Sequence, residues 1–365
     1  MKILLLGEYS NVHNTLAAGL RYLGHSVTVV SNGDFWKNYP RDIDVARHDG
    51  RLGGMRLLLR LYRLLPRLRG YDVVQLINPM FFELRAERLF RFYRYLRRHN
   101  RVVVLGAFGM DYYWVSECTH RMPLRYSDFN FGTQLRTDEA ALKEQRDWLG
   151  TAKERLNRMI AADSDAIVTG LYEYQVCYEA NFPQKTQFIP FPIKPDLTVA
   201  PQVHSPLRIF VGISRGRSEY KGTDVMLRAA QAVARQHPDT VELQTVEGVP
   251  FDDYRKMVAD SDVLLDQLYS YTPAMNALMA MSKGVVVVGG GEPENYEILG
   301  ETELRPIVNV EPSYDSVLQA LTLLVAQPQQ VAEKKQQSID YIMRHHHYVS
   351  VAQKYVALYG KLLHD

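Results

Sequence analysis

The stretch that decides the fold is Ile209-Phe-Val-Gly-Ile-Ser-Arg-Gly-Arg-Ser-Glu-Tyr-Lys-Gly-Thr-Asp224. A run of branched apolar residues ends at Gly212, a basic loop follows, and Gly222 precedes a segment with helical apolar spacing. This order predicts a strand, a loop and a helix. The loop after a parallel strand faces the ligand crevice, and amides at a helix start favour anions. We therefore expect the loop to bind a diphosphate.

Three side chains in this loop carry positive charge: Arg215, Arg217 and Lys221. An arginine can hold a phosphate through two hydrogen bonds, whereas a lysine acts as a point charge. A short basic loop is also common on solvated protein surfaces. The stretch by itself leaves that second interpretation open.

Length and composition set the class of protein. At 365 residues the chain exceeds what one hydrophobic core usually organises, so two domains are expected. A hydrophobic content of 46% with 23% charged residues is typical of a folded soluble protein. The two cysteines, Cys118 and Cys177, form no zinc-type spacing, and no metal site is predicted. The apolar segment at the start is too short for a secretory signal. No run reaches the roughly 18 apolar residues of a membrane span. We therefore expect a cytoplasmic protein.

Charge is distributed unevenly along the chain. The net charge of +2 combines a balance of +7 in residues 1–190 with −5 in the remainder. Residues 51–101 alone hold 13 basic and 3 acidic residues. Such asymmetry suggests a charged surface as a partner.

Two basic helices are predicted in this region, over Met55–Leu68 and over residues 85–98. The first carries a single stripe of arginines at helical spacing, formed by Arg56, Arg60, Arg63 and Arg67. Both helices can simply cover the sheet, with arginine stems lying on apolar surface. The functional alternative is a face on an anionic membrane, where each cation adds about 1 kcal/mol. No nucleic-acid module accompanies the arginines, so no nucleic-acid partner is predicted.

The amino-terminal half begins with a strand, Lys2–Leu6, that ends at Gly7, followed by a helix and a second strand ending at Val30. It lacks Gly-x-Gly-x-x-Gly, so nothing indicates NAD or FAD. His13 in the first loop is a candidate sugar contact or a structural histidine. Further strands are predicted at residues 72–78 and 101–106.

A carboxylate follows the fourth strand in Gly106-Ala-Phe-Gly-Met-Asp111. In a doubly wound sheet Asp111 would project into the crevice; the alternative is a turn aspartate that caps local amides. Residues 114–136 show no periodicity and are interpreted as a loop region, and Thr137–Ala162 as one long helix. Clustered prolines then predict an interdomain linker with a boundary near residue 200.

The carboxyl-terminal half alternates strands and helices from Arg208 to a helix near Asn295, which predicts a second parallel sheet. Residues 331–363 are predicted to be helical. Three consecutive histidines, 345–347, point in different directions on a helix, which argues against a metal site.

Two short motifs carry a family resemblance. Arg-x3-Lys-Gly at Arg217–Gly222 resembles the donor-diphosphate signature of retaining GT-B glycosyltransferases of the group-1, or family 4, type, and Leu-Gly-His-x-Val-Thr-Val at residues 23–29 resembles the start of many GT-B enzymes. The resemblance implies an α/β fold of two Rossmann-like domains facing a central cleft. It assigns residues 1–195 to an acceptor-binding domain, 196–340 to a nucleotide-sugar domain and 341–365 to a helix that packs back on the first domain. Asp111 becomes the first candidate for contacting a sugar hydroxyl, and Gly7 a candidate donor contact.

The second family motif is degenerate in this chain. It normally places two glutamates eight residues apart before Ala-Met-Ala-x-Gly, and here those positions hold Tyr271 and Met279. The glycines at 289–291 permit close approach of backbone to a ligand. The amides of Ala274 and Met275, at a predicted helix start, are candidates for holding the donor phosphates. In the family the second glutamate binds ribose hydroxyls, and the candidates for that contact here are Asn276, which hydrogen-bonds without charge, and Glu292 or Glu294.

The resemblance implies a retaining glycosyltransferase that needs no metal ion and no cofactor. Such an enzyme transfers a sugar from a nucleotide-diphosphate sugar to a glycan or lipid-linked acceptor. The expected setting is cell-surface glycan assembly at the inner membrane face. Arg217 and Lys221 would stabilise the leaving diphosphate. The missing glutamates favour an alternative, a sugar-nucleotide or polysaccharide binding protein without catalysis. An epimerase or phosphorylase of the same fold is a third reading, although no pyridoxal-binding lysine context is identified for the latter.

Overall fold

The computed structural model describes residues 1–195, 202–213 and 218–364. The chain divides into two compact units. Unit 1 comprises Met1–Pro123, Lys143–Pro192 and Tyr348–Asp365, and unit 2 comprises Leu124–Leu142 and Ile193–His347. The sequence predicts domain boundaries after residues 195 and 340, and in the structure the chain passes from one unit to the other after Pro192 and after His347. Residues 124–142 group with unit 2, not with the amino-terminal domain as expected. The predicted linker near residue 200 lies outside the described residues.

The elements up to residue 195 are β1 (Lys2–Leu6), α1 (Val12–Tyr22), β2 (Ser26–Ser31), β3 (Ile43–Asp44), α2 (Gly53–Leu64), β4 (Val73–Leu76), α3 (Ala86–His99), β5 (Val102–Ala107), α4 (Tyr112–Ser116), β6 (Asn130–Phe131), β7 (Gln134–Leu135), α5 (Glu139–Trp148), α6 (Ala152–Asp163), β8 (Ala166–Thr169), α7 (Tyr172–Glu179) and β9 (Thr186–Phe188). The later elements are β10 (Leu207–Ile213), α8 (Ser218–Lys221), α9 (Thr223–Gln236), β11 (Val241–Glu247), α10 (Phe251–Ala259), β12 (Val263–Leu265), α11 (Met275–Met281), β13 (Val286–Val288), α12 (Pro293–Leu299), α13 (Tyr314–Ala326), α14 (Pro328–Tyr341) and α15 (Tyr348–His364).

Unit 1 is built on a seven-stranded parallel sheet in the order β3-β2-β1-β4-β5-β8-β9. Strands β4, β5 and β8 are buried throughout, which matches their continuous apolar sequences and the helices expected on both faces of a parallel sheet. The strand order reverses between β1 and β4. In a doubly wound sheet, the ligand crevice lies at the carboxyl ends of the strands at such a reversal.

The last helix of the chain, α15, belongs to unit 1, where it packs against α1. The contact is close because α1 carries a glycine at its centre. A Cβ atom placed on Gly19 would lie 2.4 Å from the carbonyl oxygen of Tyr348 and 2.7 Å from the Cβ of Ala352. The glycine therefore lets the two helix backbones approach to a distance that any side chain would prevent.

Unit 2 contains a four-stranded parallel sheet in the order β11-β10-β12-β13. Its strand order reverses between β10 and β12. Asp262, which precedes β12, is fully buried and accepts hydrogen bonds from the Lys335 ammonium at 2.8 Å and from the backbone amide of Arg208 at 2.9 Å. This ion pair, itself out of water, attaches α14 to the amino-terminal edge of the sheet.

Three sequence predictions were wrong in detail. The single helix expected over Thr137–Ala162 is two helices, because Gly150 adopts a φ of +71° and the Thr151 hydroxyl caps α6 by accepting the amide of Lys153. Residues 114–121, the first part of the stretch interpreted as a loop region, are helical. The helix expected over Met55–Leu68 ends at Leu64 and continues as one 3₁₀ turn containing Pro66.

The histidine run does not form a metal site. His345 Nε2 lies 2.6 Å from a carboxylate oxygen of Glu301, and His346 is buried. Within the described parts of the chain, no group of three or more His, Cys, Asp or Glu side chains is arranged to hold a metal ion. No helix in those parts has the length and apolarity needed to cross a membrane.

We expect Gly19→Ala to destabilise unit 1 by about 1–3 kcal/mol, because the added methyl group forces α1 and α15 apart. The matched control is Gly360→Ala on α15, where an added Cβ meets no atom within 4 Å. That change replaces a helical glycine by alanine and should stabilise by about 0.5–1 kcal/mol. Urea unfolding of both variants measures the difference, and equal midpoints would contradict the close-contact argument.

Candidate functional site

The first candidate region is the loop that leaves β1 in unit 1. Gly7 has a φ of +83°, and an added Cβ would lie 2.2 Å from Ile77 Cγ2, so the loop needs a glycine there. The carboxyl group of Glu8 is almost completely buried and accepts the amides of His13 at 3.2 Å and Asn14 at 2.8 Å. Burial raises the pKa of Glu8 from 4.5 to about 8 despite these hydrogen bonds. The glutamate thus fixes the loop to the first turn of α1.

His13 is fully buried beneath this loop. Its Nδ1 lies 2.9 Å from the carbonyl oxygen of Gly7, which can only accept, so Nδ1 carries the proton. Burial lowers the pKa of His13 to about 3, so the ring is neutral and Nε2 accepts from the amide nitrogen of Gln75 at 3.2 Å. The amide oxygen of Gln75 in turn accepts the Tyr359 hydroxyl at 2.5 Å. His13 therefore has the structural role that the sequence left as one of two alternatives.

Asp111 is also fully buried in unit 1. One carboxylate oxygen accepts the amide of Trp114 at 3.0 Å and caps α4, while the other accepts the hydroxyl of Tyr178 at 2.8 Å. Burial raises the pKa of this carboxyl to about 7. Asp111 thus caps local amides, as one of the two alternatives expected. A contact between Asp111 and a sugar stays a prediction.

In unit 2, the predicted phosphate loop follows β10 at the reversal of strand order. Arg215 and Arg217 lie outside the described residues. Lys221 ends α8, and its carbonyl oxygen accepts the amide of Leu268 at 2.9 Å. Gly222 has a φ of +71°, and a Cβ there would lie 2.6 Å from the Cβ of Leu268. The segment from Lys221 to Gly222 therefore packs on the loop that leaves β12.

The same edge of the sheet brings Asp266 and Asn276 together. Asp266 follows β12, and its Oδ1 accepts the Asn276 amide nitrogen at 2.7 Å, while Asn276 Oδ1 accepts the hydroxyl of Tyr254 at 3.0 Å. Burial raises the pKa of the Asp266 carboxyl, and the charge of Lys221 opposes that rise. The amide group of Asn276 is thus oriented by two neighbours.

The degenerate motif lies beside this cluster. Ala274 is the N-cap of α11 and Met275 its first residue, so the first helical amides lack intrahelical partners, as at any helix start. Gly289 has a φ of +101°, and a Cβ there would lie 2.4 Å from the carbonyl oxygen of Gln267. The glycines after β13 thus permit a close approach to the loop after β12.

Glu292 and Glu294, the predicted ribose contacts, are paired within unit 2. Arg125 donates to a carboxylate oxygen of Glu292 at 2.7 Å and to both oxygens of Glu294, and the Tyr126 hydroxyl donates to the other oxygen of Glu292 at 2.5 Å. Burial is the largest single influence on the pKa of Glu294 and raises it, but the hydrogen bond and charge of Arg125 and the backbone amide of Glu294 together lower the pKa below its usual value. A ribose contact by these glutamates stays a prediction. It would require Glu292 or Glu294 to give up hydrogen bonds from Arg125 or Tyr126 and to accept hydrogen bonds from ribose hydroxyls instead.

Arg125 and Tyr126 were missed at the sequence level. The backbone amide of Arg125 donates to the hydroxyl of Tyr271 at 2.7 Å, and its guanidinium lies 4.9 Å from the centre of that ring. Tyr271 thus fills the first of the two glutamate positions with an aromatic side chain that binds residues 124–142. No local pattern around residue 125 indicates these partners, which lie more than a hundred positions away.

Solved proteins with the GT-B glycosyltransferase architecture share this fold. Thermosynechococcus elongatus sucrose-phosphate synthase matches with a TM-score of 0.58 at 13% identity, covering 99% of both chains. Anabaena HepE, solved with UDP and glucose, matches with a TM-score of 0.61 at 13% identity, covering 99% of this chain and 100% of HepE. WaaG, a glycosyltransferase of lipopolysaccharide biosynthesis, matches with a TM-score of 0.53 at 13% identity, covering 98% of this chain and 99% of WaaG.

The predicted GT-B fold class is confirmed by these matches. The fold also occurs in a protein that is not a transferase, since Neisseria meningitidis UDP-GlcNAc 2-epimerase bound to UDP-GlcNAc matches with a TM-score of 0.54 at 10% identity, covering 99% of this chain and all of the epimerase. No protein-family model and no curated protein matches the sequence.

The raised pKa of Glu8 predicts a stability that depends on pH. A carboxyl whose folded pKa exceeds its unfolded value contributes stability below the unfolded pKa of 4.5, and that stability is lost as the pH rises through about 8. Glu8→Gln removes this titration, so its free energy of unfolding should fall less between pH 5 and pH 8 than that of the wild type, by at most about 1.4 kcal/mol per pH unit. A constant offset of about 1 kcal/mol is expected, since the glutamine nitrogen cannot accept the second amide.

Urea unfolding at several pH values measures these slopes. Glu179→Gln, at an exposed position of unit 1, is the control and should follow the wild-type slope. Parallel curves for Glu8→Gln and the wild type would show that Glu8 does not titrate in this range.

Proposed function

We propose that this protein is a glycosyltransferase that moves a sugar from a nucleotide-diphosphate sugar to a glycan or lipid-linked acceptor. The observation that carries the proposal is the carboxyl edge of the unit 2 sheet. There Lys221, Asp266, the start of α11 and the glycines after β13 meet at the reversal of strand order, where open α/β sheets bind ligands. The same fold in HepE is solved with UDP and with UDP-glucose, which supports a nucleotide sugar as the donor.

Charge stabilisation is the proposed source of catalysis. Arg215, Arg217 and Lys221 would surround the diphosphate and stabilise the negative charge that grows on it as the sugar departs. The leaving phosphate would take the proton of the acceptor hydroxyl, so the transfer needs no strong general base or metal ion and proceeds with retention. Asp111 remains the candidate for contacting a sugar hydroxyl, and Gly7 a candidate donor contact.

A binding protein without turnover is the second candidate function. Tyr271 occupies a family glutamate position, and Glu292 and Glu294 are held by Arg125 and Tyr126. Both functions require a donor site, so nucleotide binding alone does not separate them. Release of nucleotide diphosphate from a nucleotide sugar in the presence of an acceptor separates them, and the anomeric configuration of the product tests retention.

The donor site is tested by thermal shift with UDP, GDP, ADP, dTDP and CMP, each with and without magnesium. A bound ligand at a hundredfold excess over its Kd stabilises the native state by about 2.7 kcal/mol, so we expect one diphosphate to raise Tm clearly without magnesium. Arg217→Ala and Lys221→Ala should each weaken its binding at least tenfold, which corresponds to about 1.4 kcal/mol.

Arg235→Ala is the matched control, because it removes one exposed cation near the end of α9 in the same unit. Its nucleotide affinity should equal that of the wild type. Unchanged affinity in the Arg217 and Lys221 variants would refute the site, and a Tm unaffected by all five nucleotides would refute the donor proposal.

An exposed face of α2 supports a membrane surface as a second partner. Leu52, Met55, Leu59 and Tyr62 follow at spacings of three, four and three, and they are 51%, 55%, 51% and 38% exposed. Large apolar side chains aligned on one exposed stripe are unusual on a protein that stays in water. Buried Leu57, Leu61 and Leu64 occupy the opposite face, so the exposed stripe is separate from the core contact.

The arginines flank this stripe. Arg56, Arg63 and Arg67 are exposed, whereas Arg60 is half-buried and its guanidinium donates to the carbonyl oxygen of Ala46. We therefore assign membrane attraction to three of the four predicted arginines. A cytoplasmic protein held on the anionic inner membrane face through α2 could act on lipid-linked acceptors.

Replacing Arg56, Arg63 and Arg67 together by alanine should weaken binding to vesicles of phosphatidylcholine with anionic phosphatidylglycerol about a hundredfold, because each of the three cations adds about 1 kcal/mol near such a surface. Sedimentation with these vesicles and with pure phosphatidylcholine measures the effect. The control removes three exposed cations of unit 2, Arg228, Arg235 and Arg255. Equal losses in both triple variants would indicate a non-specific charge effect, and equal binding of wild type and the α2 variant would contradict the proposal.

A further inference from the structure

Unit 1 contains a cavity of about 390 Å³ at the reversal of its strand order. The residues that follow three strands line it, namely Gly7 to Tyr9 after β1, Asn32 after β2 and Asn78 after β4. Side chains of α5 and Lys153 of α6 line it as well. Its volume falls within the range of pockets that enclose small ligands.

The backbone around this cavity is strained. Six non-glycine residues in the described chain have positive φ, and five of them lie in the two loops beside the cavity: Ser10, Asn11, Asp34, Phe35 and Asn38. Asp34 ties these loops together, since it accepts the Ser10 amide at 2.8 Å and the Lys37 ammonium at 2.6 Å. Such conformations persist where the surrounding structure imposes them, and they concentrate at binding sites.

The cations of the cavity wall are already paired. Lys143 Nζ lies 2.9 Å and Lys153 Nζ 3.4 Å from the same carboxylate oxygen of Asp147. The hydrogen bond from Lys143 lowers the pKa of Asp147, and the same bond raises the pKa of Lys143, so both groups are charged. Among the described residues that line the cavity, these lysines are the cationic side chains.

The remaining polar groups suit neutral hydroxyls. Glu83 uses one carboxylate oxygen to accept the amide of Arg47, and its other oxygen has no partner among the described residues. Asn32 accepts the amide of Asp34 through its oxygen, and its amide nitrogen likewise has no partner in the described chain. Glu144, at 4.0 Å from Lys143, adds a further carboxylate. These groups offer hydrogen bonds to a sugar, and their negative charge opposes an anionic ligand.

An aromatic ring lies at the edge of the cavity. Phe35 lines it and yet is 62% exposed. Phe35 has a left-handed backbone conformation and buries only the smaller part of its surface in the fold, so its ring offers an apolar surface to the C–H face of a sugar.

We infer that this cavity binds the terminal sugar of the acceptor and selects an uncharged sugar over a uronic acid or a phosphorylated sugar. The assignment rests on the proposed function and names the acceptor class that it leaves open. It depends on unit 1 alone and not on the donor site of unit 2.

The test is saturation-transfer NMR on the full chain with three pairs of methyl glycosides: glucoside and glucuronide, galactoside and galacturonide, mannoside and mannuronide. We expect at least one neutral glycoside to bind and its uronate to bind at least tenfold more weakly. Phe35→Ala should weaken the neutral ligand at least fivefold without lowering Tm. Glu144→Lys adds a cation to the cavity wall, so it should reduce the difference in affinity between the neutral glycoside and its uronate.

Glu179→Lys makes the same charge change at an exposed position of unit 1 outside the cavity wall, and should leave both affinities unchanged. A uronate that binds as tightly as its neutral partner, or three neutral glycosides that all fail to bind, would overturn the inference. Nucleotide binding in the same samples reports on unit 2. Nucleotide binding without sugar binding would defeat the cavity inference alone, and sugar binding without nucleotide binding would defeat the donor proposal alone.

Discussion

The position of the loop after β1 depends on a chain of buried hydrogen bonds that begins on the last helix of the fold. Tyr359 donates to Gln75, Gln75 to His13, and His13 to the carbonyl oxygen of Gly7. His13, Gln75 and Tyr359 are fully buried, so water does not take the place of a lost hydrogen-bond partner. Each hydrogen bond in the chain therefore depends on the next. The binding edge of unit 1 is therefore fixed by residues from three distant parts of the sequence, and the loop's glycine and its buried glutamate have their places only when all three are assembled.

Close backbone approach is the second constraint, and it acts in both units. Gly19 allows α15 to reach α1, Gly222 allows the end of α8 to reach the loop after β12, and Gly289 brings the loop after β13 to the same place. In unit 2 these contacts gather the candidate donor residues at one edge. Residues 124–142 contact this part of unit 2 through Arg125, whose amide donates to the Tyr271 hydroxyl, and through Tyr126, whose hydroxyl donates to Glu292. Tyr271, at a position where the resemblance expects a glutamate, thus makes a contact within the protein.

Much of this fold could be predicted from the sequence, because parallel strands are short apolar runs and helices carry apolar residues at their own spacing. The predicted bounds of β1 match the structure, and α9 begins directly after Gly222, as the helical spacing predicts. The break between α5 and α6 was missed, since helical spacing continues through Gly150 and only its left-handed conformation ends the helix. Helix α13 was not assigned, although Ser313 caps it through the amide of Ser316 and such a serine is a usual start signal.

The site was less predictable than the fold for a physical reason. Lys221, Gly222 and the glycines at 289–291 could be named as candidates, because a strand exit that contains glycine is a local sequence pattern. The role of Asp111 could not be decided from the sequence, since a capping carboxylate and a ligand carboxylate have the same local sequence and differ in their tertiary contacts. The pairing of Arg125 with Glu292 and Glu294 joins residues far apart in the chain, and nothing in either segment specifies the other.

The division of unit 1 into three segments has a consequence for biosynthesis. Strand β1 and helix α1 leave the ribosome well before α15, the helix that covers Gly19, is made. At ordinary elongation rates the interval is on the order of tens of seconds. All of unit 2 is synthesised within that interval, so unit 1 is completed only after unit 2. The nascent protein therefore carries an uncovered face of α1 during the whole interval, and a chain stopped short of residue 348 would keep that face exposed to chaperones and proteases.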